Sequence, residues 1–97
     1  MLDISIIEGF EWDKGNSSKN ALKHKVANEE CEQVFFNNPL LIQEDISHST
    51  KESRWFALGR TNNDRPLFIS FTIRGMFLRI ISARDMSRKE RHHYEKT

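Results

Sequence analysis

Residues 67–82 read LFISFTIRGMFLRIIS, the most apolar run of the chain, and this stretch decides the fold. It predicts two β-strands, at 67–73 and 76–82, joined by a tight hairpin turn at Arg74-Gly75. Because side chains alternate between the two faces of a strand, each strand presents one face to the core. On the first strand this apolar face consists of Leu67, Ile69, Phe71 and Ile73. On the second, Met76, Leu78 and Ile80 are predicted to share one face, with Phe77, Arg79 and Ile81 on the other.

More elements are predicted on both sides of this hairpin. Residues 54–60 have the composition of a strand, and the polar residues 61–64 that of a turn. The apolar run 40–42 predicts an edge strand, followed by a polar segment at 43–53 that is either a loop or an irregular hairpin. After the hairpin, Ser87 and Glu90 have the spacing of a capping box, which predicts a short C-terminal helix.

The N-terminal part is predicted to begin with a strand and a helix. Apolar residues between Ile4 and Trp12 indicate a short strand. Asn16 or Ser17 is a suitable N-cap for a first helix that runs to His24.

A second helix is predicted to begin at an Asn28 N-cap and to stop at Pro39, because the residue before a proline disfavours the helical region. Cys31, Val34 and Phe35 have the i, i+3, i+4 spacing of its apolar face. The predicted architecture is therefore α+β: an N-terminal strand and two helices, then an antiparallel β meander and a C-terminal helix. It forms a single domain over residues 1–97.

Length and composition narrow the class of protein. A chain of 97 residues can bury one modest core, and 37% hydrophobic with 30% charged residues is typical of a soluble globular domain. The single cysteine, Cys31, can form neither an internal disulfide nor a four-ligand zinc site, which indicates a reducing compartment. The N-terminus lacks a basic start followed by a long apolar run, and no 18 apolar residues occur together, so we expect a cytoplasmic protein without a membrane partner. No metal or cofactor is expected.

Charge is distributed unevenly along the chain. Residues 74–97 carry seven Lys or Arg against three Asp or Glu, a net +4, and since the whole chain is +1 the first 73 residues carry −3. A local basic segment suits a polyanion, because exposed charges act over roughly 8–10 Å at physiological salt. A solvated C-terminal helix would have the same composition.

Two arginines in the basic segment require partners. Arg79 stands among isoleucines inside a predicted strand, and Arg84 is predicted to leave that strand. Desolvating a guanidinium is costly unless an anion meets it. That anion could be a carboxylate of the same chain, from Glu11, Asp13 or Glu90, or a phosphate from a partner. The residues alone leave both possibilities open.

Arginines around a proton-carrying side chain could cleave RNA without a metal. A base takes the proton of the ribose 2′-hydroxyl, arginines hold the phosphorane through paired hydrogen bonds, and an acid protonates the leaving 5′ oxygen. The catalytic candidates are His24, Arg79, Arg84 and Tyr94. The residues predicted to follow the RNA backbone are Lys23, Arg54, Arg60 and Arg88.

Some of these candidates also have structural interpretations. His24 could cap the end of the first helix, where it would complement the helix dipole. Tyr94 could anchor the last helix through its ring, and its neighbours His92 and His93 are expected to be solvated.

A set of short motifs runs along nearly the whole chain. They are Phe10-Glu11-Trp12-Asp13, the Lys23-His24 pair, Val34-Phe35 with Asn38-Pro39, Glu52-x-Arg54 before Gly59-Arg60, and Arg79-Ile-Ile-Ser-Ala-Arg84 followed by Glu90 and Tyr94. In this order and spacing they resemble the BrnT family of type II toxins. Two positions depart from the family pattern: Lys25 stands where glycine is usual, and Met86 where alanine is usual.

The resemblance implies a fold like that of the RelE ribonuclease toxins and a metal-independent ribonuclease that blocks translation. It also implies a BrnA-type antitoxin with a ribbon-helix-helix DNA-binding domain, and a toxin–antitoxin complex that represses its own operon. The alternative is a catalytically silent module that binds a protein partner or nucleic acid. Such a module would bind RNA with a salt-dependent affinity and leave it uncut.

Overall fold

A five-stranded mixed sheet is the centre of the structure, a computed structural model that describes residues 2–12, 24–48 and 52–97. Along the chain the strands are β1 (Gly9–Glu11), β2 (Leu41–Glu44), β3 (Arg54–Arg60), β4 (Pro66–Arg74) and β5 (Phe77–Asp85). Their order across the sheet is β1-β5-β4-β3-β2. Strands β2 to β5 form the predicted antiparallel meander, whereas β1 pairs in parallel with β5 and makes the sheet mixed.

Two α-helices are present in the described ranges: α1 (Asn28–Val34) and α2 (Arg88–Glu95). The N-cap of α1 is Ala27, one residue before the predicted Asn28, and its backbone N–H donates to Glu30 Oε1 at 3.1 Å. Helix α2 has the predicted capping box at its start. The predicted first helix falls on residues 16–24, of which 16–23 lie outside the described residues.

The larger core lies between α1 and the sheet. Cys31 and Val34 of α1 are fully buried against apolar side chains from the central strands. The buried sheet residues in this cluster are Ala57, Leu67, Ile69, Phe71, Leu78, Ile80 and Ala83. The apolar face predicted for the first strand of the hairpin is therefore the face that α1 covers.

A smaller core lies on the opposite face of the sheet, under α2. Tyr94 of α2 and Met86 pack with Leu58 of β3, and the rings of Phe56 and Phe68 border this cluster. The sheet thus has an apolar cluster on each side, with one helix packed on each.

Several boundaries differ from the predictions. The N-terminal apolar residues begin as a 3₁₀ turn at Ile4–Ile6, and the strand follows at β1. Met76 is exposed and belongs to the hairpin turn, so it does not share the buried face of Leu78 and Ile80. Strand β5 extends to Asp85, which places Arg84 within the strand and corrects the prediction that it leaves the strand.

Candidate functional site

A β-bulge in β5 determines which face its arginines occupy. Phe71 of β4 pairs with Ile80 and the adjacent Ser70 pairs with Ser82, so Ile81 is an extra residue in β5. Arg79 and Arg84 are five residues apart, and a regular strand would place them on opposite faces. The extra residue brings both onto the face that α2 also occupies, which we call the arginine face. Bulges of this kind are over-represented next to active sites.

A row of four paired residues crosses the arginine face. Arg54 pairs with Thr72, Thr72 with Arg79, and Arg79 with Glu11, over strands β3, β4, β5 and β1. Neighbouring strands lie about 4.8 Å apart, so the Cα atoms of Arg54 and Arg79 are separated by roughly 10 Å. Thr72, between the two arginines, is 1% exposed and donates its hydroxyl to the Ser53 carbonyl at 2.8 Å.

Arg79 has a carboxylate partner within this row. Its Nη1 lies 3.5 Å from Glu11 Oε1, and its side chain is 19% exposed against 46% for that of Glu11. Arg79 could be neutralised by a carboxylate of this chain or by a phosphate of a partner, and the carboxylate is therefore present. The row presents a cation and a carboxylate side by side, which is a combination that can bind a phosphate and accept a proton.

Arg84 is bound more firmly. Its Nη1 and Nη2 donate to the two carboxylate oxygens of Glu90 at 2.8 and 2.9 Å, and its guanidinium carbon lies 4.2 Å from the ring centroid of Phe68. The hydrogen bonds from Arg84 hold the pKa of Glu90 below its usual range and raise that of Arg84. Arg84 is fixed in orientation and about two-fifths exposed.

The structure places His24 near Asp85, at the end of β5 far from Arg79. Its main-chain carbonyl accepts from Arg65 Nη2 at 3.3 Å, and the residue is near enough to Asp85 to help lower the pKa of that carboxyl. Asp85 lies six residues beyond Arg79 on β5, which corresponds to roughly 20 Å along the strand.

Tyr94 anchors helix α2 to the rest of the fold, which is the structural role considered for it in the sequence analysis. It is buried, and its hydroxyl donates to the Pro39 carbonyl at 2.5 Å, which ties α2 to the segment before β2. Burial also raises the pKa of this hydroxyl.

The remaining predicted RNA contacts are dispersed. Arg60 ends β3 on the arginine face and lies 3.4 Å from Asp64 Oδ1, beside a polar cleft that includes Asn37 and Asn62. Arg88 is exposed at the start of α2. Lys23 lies outside the described residues.

The residue that sequence reasoning missed is Arg65. Its guanidinium donates to Asp85 at 2.7 and 3.2 Å, to Glu30 at 3.2 Å, and to the Lys25 carbonyl at 2.9 Å. It therefore joins β5, the start of α1 and the segment before α1. No local pattern marks it, because its partners are 20 to 40 residues away in sequence.

In the described ranges neither a reactive cysteine nor a cluster of metal ligands is present. Burial raises the pKa of the Cys31 thiol to about 12, so this residue is not a nucleophile at neutral pH. Within the described ranges no three His, Cys, Asp or Glu side chains are grouped so that they could hold a metal ion. In the same ranges, no helix has the length and apolar character needed to cross a bilayer.

The fold and the arginine face define a small α+β domain with a cationic sheet surface suited to a phosphate polyanion. A family model described as "Ribonuclease toxin, BrnT, of type II toxin-antitoxin system" matches residues 12–90, and the chain belongs to this family. Membership implies an RNA substrate and an antitoxin partner.

A solved structure supports the fold. The 1.1 Å crystal structure of the Brucella abortus ribonuclease toxin BrnT aligns with a TM-score of 0.62 and 23% sequence identity, covering 82% of this chain and 97% of that one. Among curated proteins, no sequence matches this chain. The prediction of the BrnT family is confirmed, as is an α+β fold similar to BrnT.

Proposed function

We propose that this protein is a metal-independent endoribonuclease toxin that blocks translation and growth, and that its site is the arginine face. The observation that carries the proposal is the β5 bulge, which places Arg79 and Arg84 on the same face as Arg54. Guanidiniums on one rigid sheet surface suit a scissile phosphate with its neighbours, since they remain charged at working pH and can donate parallel hydrogen bonds to phosphate oxygens. Arg84, whose two Nη atoms already donate to Glu90, contributes its charge and its remaining N–H groups.

The chemistry follows from the row across the face. Arg54 and Arg79 approach the scissile phosphate from two sides and stabilise the charge that develops on the phosphorane. Arg84, held by Glu90, orients the adjacent part of the RNA backbone. Fixed guanidiniums need no reorganisation during the reaction, which is the advantage of placing them on strands.

Glu11 is the proton acceptor that fits this geometry, because it lies 3.5 Å from Arg79 in the same row. It takes the proton of the ribose 2′-hydroxyl as that oxygen attacks phosphorus, the bond to the 5′ oxygen breaks, and the leaving oxygen takes a proton from water. The products carry a 2′,3′-cyclic phosphate and a 5′-hydroxyl. His24 and Tyr94 stay predictions for proton transfer.

The partner in this proposal is a BrnA-like ribbon-helix-helix antitoxin that neutralises the toxin, and the complex binds its own operator DNA. The support is membership of the BrnT family of type II toxin–antitoxin systems. A RelE-like arrangement belongs to the same proposal, supported by the antiparallel meander with one helix on each face.

The test is induced expression in bacteria of wild type and Arg79→Ala, with growth, protein synthesis and total RNA followed together. Arg91→Ala is the matched control, because Arg91 is an exposed arginine on α2. We expect wild type and the control to arrest growth, and purified Arg79→Ala to cleave RNA roughly 100-fold to 1,000-fold more slowly, both with and without a chelator. Unchanged cleavage by a folded Arg79→Ala would overturn the site. Loss of cleavage on chelation would overturn metal independence.

A silent binding module is the second candidate, and a specific observation favours it. Arg79 and Arg84 both have carboxylate partners within the chain, Glu11 and Glu90. On this view RNA binds the wild-type protein with a salt-dependent affinity and is recovered intact.

A further inference from the structure

A pocket of about 380 Å³ lies on the arginine face beside α2. Its size is within the range of small-molecule sites. Its lining includes Gln43, Asp45, Phe56, Phe68, Lys89 and Glu90. We call it the aromatic pocket. Apart from Glu90, which holds Arg84, its lining residues take no part in the phosphate chemistry proposed above.

Two aromatic rings form one wall of the aromatic pocket. Phe56 on β3 and Phe68 on β4 are diagonal neighbours across the two strands, since Phe56 pairs with Ser70 and Phe68 with Leu58. Their ring centroids are 5.4 Å apart with planes 20° from parallel, and both side chains are half-buried. The Arg84 guanidinium lies over the Phe68 ring. Nearly parallel rings with a stacked cation offer flat surfaces of the kind on which unpaired RNA bases stack.

The rim carries polar groups that can contact the edge of a base. Gln43 is exposed on β2 and has both an amide donor and a carbonyl acceptor. Asp45, half-buried, can accept from a ring N–H or an exocyclic amine, and His93 is exposed on α2. Lys89 adds a positive charge at the edge of the aromatic pocket.

The aromatic pocket is continuous with the proposed cleavage site. Phe56 follows Arg54 by two residues on β3, so the two side chains share a face and their Cα atoms are about 7 Å apart. Ser70 and Ser82, which pair directly, lie on that face between the arginine row and the row of Phe68 and Arg84. One nucleotide can place its phosphate at Arg54 and its base in the aromatic pocket.

We propose that the aromatic pocket binds the base of a nucleotide adjacent to the scissile phosphate and makes cleavage base-selective. The inference rests on the proposed ribonuclease function and adds the substrate feature that it recognises. The ligand is an unpaired nucleobase, held by stacking on Phe56 and by contacts from Gln43 and Asp45 to its edge.

The test uses the full chain and short 2′-deoxy oligonucleotides, which cannot be cleaved by 2′-hydroxyl attack, each with one 2-aminopurine. Stacking on a ring quenches this base, so quenching reports occupancy. Phe56→Leu keeps an apolar side chain and removes the ring, Phe56→Tyr restores a ring, and Gln43→Ala changes the exposed rim alone. Phe36→Leu is the matched control, since Phe36 is 78% exposed on the α1 side of the fold.

We expect Phe56→Leu to weaken binding about 5-fold to 150-fold, Phe56→Tyr to recover it, and Phe36→Leu to leave it unchanged. In mapped cleavage of a mixed RNA, wild type should prefer one base beside the cut, and Gln43→Ala should relax that preference without abolishing cleavage. Equal binding by wild type and a folded Phe56→Leu would overturn the inference.

Two outcomes separate the inference from the proposed function. RNA cut equally beside every base would overturn the inference and leave the ribonuclease intact. RNA bound with quenching that requires Phe56, yet never cut, would support the aromatic pocket and overturn the proposed function.

Discussion

Arg84 and Glu90 form a two-pronged contact in which the guanidinium donates to both carboxylate oxygens, at 2.8 and 2.9 Å. The same carboxylate accepts from the backbone N–H of Ser87 at 2.8 Å, which completes the capping box of α2. A single side chain therefore starts the helix and joins it to β5. It also fixes one wall of the aromatic pocket.

Replacing Glu90 with alanine should lower the free energy of unfolding by about 1–2 kcal/mol, since it removes both a helix cap and a partly exposed ion pair. Urea denaturation at pH 7 measures this change. Glu95→Ala is the control, because Glu95 is exposed in the last turn of α2, where a negative charge opposes the helix dipole. We expect the control to be as stable as wild type or slightly more so, and equal losses in the two variants would contradict the prediction.

Stability should fall in acid. Hydrogen bonds from Arg65 and from Arg84 hold the folded-state pKa of Asp85 and Glu90, respectively, below their ordinary values. A lowered folded pKa stabilises the fold above the unfolded value of about 4, and this contribution is lost as the pH falls through the lower folded values. Thermal unfolding between pH 7 and pH 2 should show the decline below about pH 4.

In the same thermal unfolding measurements between pH 7 and pH 2, Asp85→Asn should be less stable than wild type at pH 7 and should lose less stability in acid. The Glu95→Gln variant should follow the wild-type curve. If Asp85→Asn declined as steeply as wild type, the Arg65–Asp85 contact would not be a source of the acid sensitivity.

Lys25 adopts a left-handed backbone conformation, with φ of 55°. A Cβ atom is unfavourable in this conformation, whereas glycine accepts it without strain but has more entropy in the unfolded chain. We expect Lys25→Gly to raise the free energy of unfolding by about 0.5–1 kcal/mol, measured by urea denaturation. Lys25→Ala also removes the lysine side chain but keeps the Cβ, so it should give no such gain. Equal effects of the two variants would argue against backbone strain.

Gly59 allows β3 to approach α1 closely. A Cβ built at Gly59 would lie 2.6 Å from Val34 Cγ1 and 3.4 Å from the Val34 carbonyl oxygen. Gly59→Ala should therefore force α1 away from the sheet and lower the free energy of unfolding by about 1–3 kcal/mol. Gly9→Ala is the control, since its Cβ would meet the Phe77 ring at an ordinary 3.4 Å. Similar denaturation midpoints for the two variants would count against this explanation.

The sequence predicted the elements whose signals are local. The hairpin, the edge strand, the turn before β4 and the capping box of α2 each follow from a few adjacent residues, and the structure confirms them. The motif set also identified the family. The parallel pairing of β1 with β5 could not be predicted, because β1 has three residues and its partner strand begins 66 residues later in the chain.

The candidate site was predictable in its residue types and not in its geometry. Arg79 and Arg84 were recognised as cations that need an anion, and their in-chain partners proved to be two of the carboxylates considered, Glu11 and Glu90. The contribution of Phe56 to a pocket depends on the packing of α2, and the contacts of Arg65 span distant segments. Neither leaves a local pattern.

The extra residue Ile81 links the length of β5 to its chemistry. Loss of one residue between Arg79 and Arg84 would remove the irregularity and leave an even spacing that still keeps both arginines on one surface. If the bulge were lost while five residue steps still separated Arg79 from Arg84, the side chain of one arginine would point into the core. A relative whose strand is regular should therefore show an even number of residue steps between these two arginines.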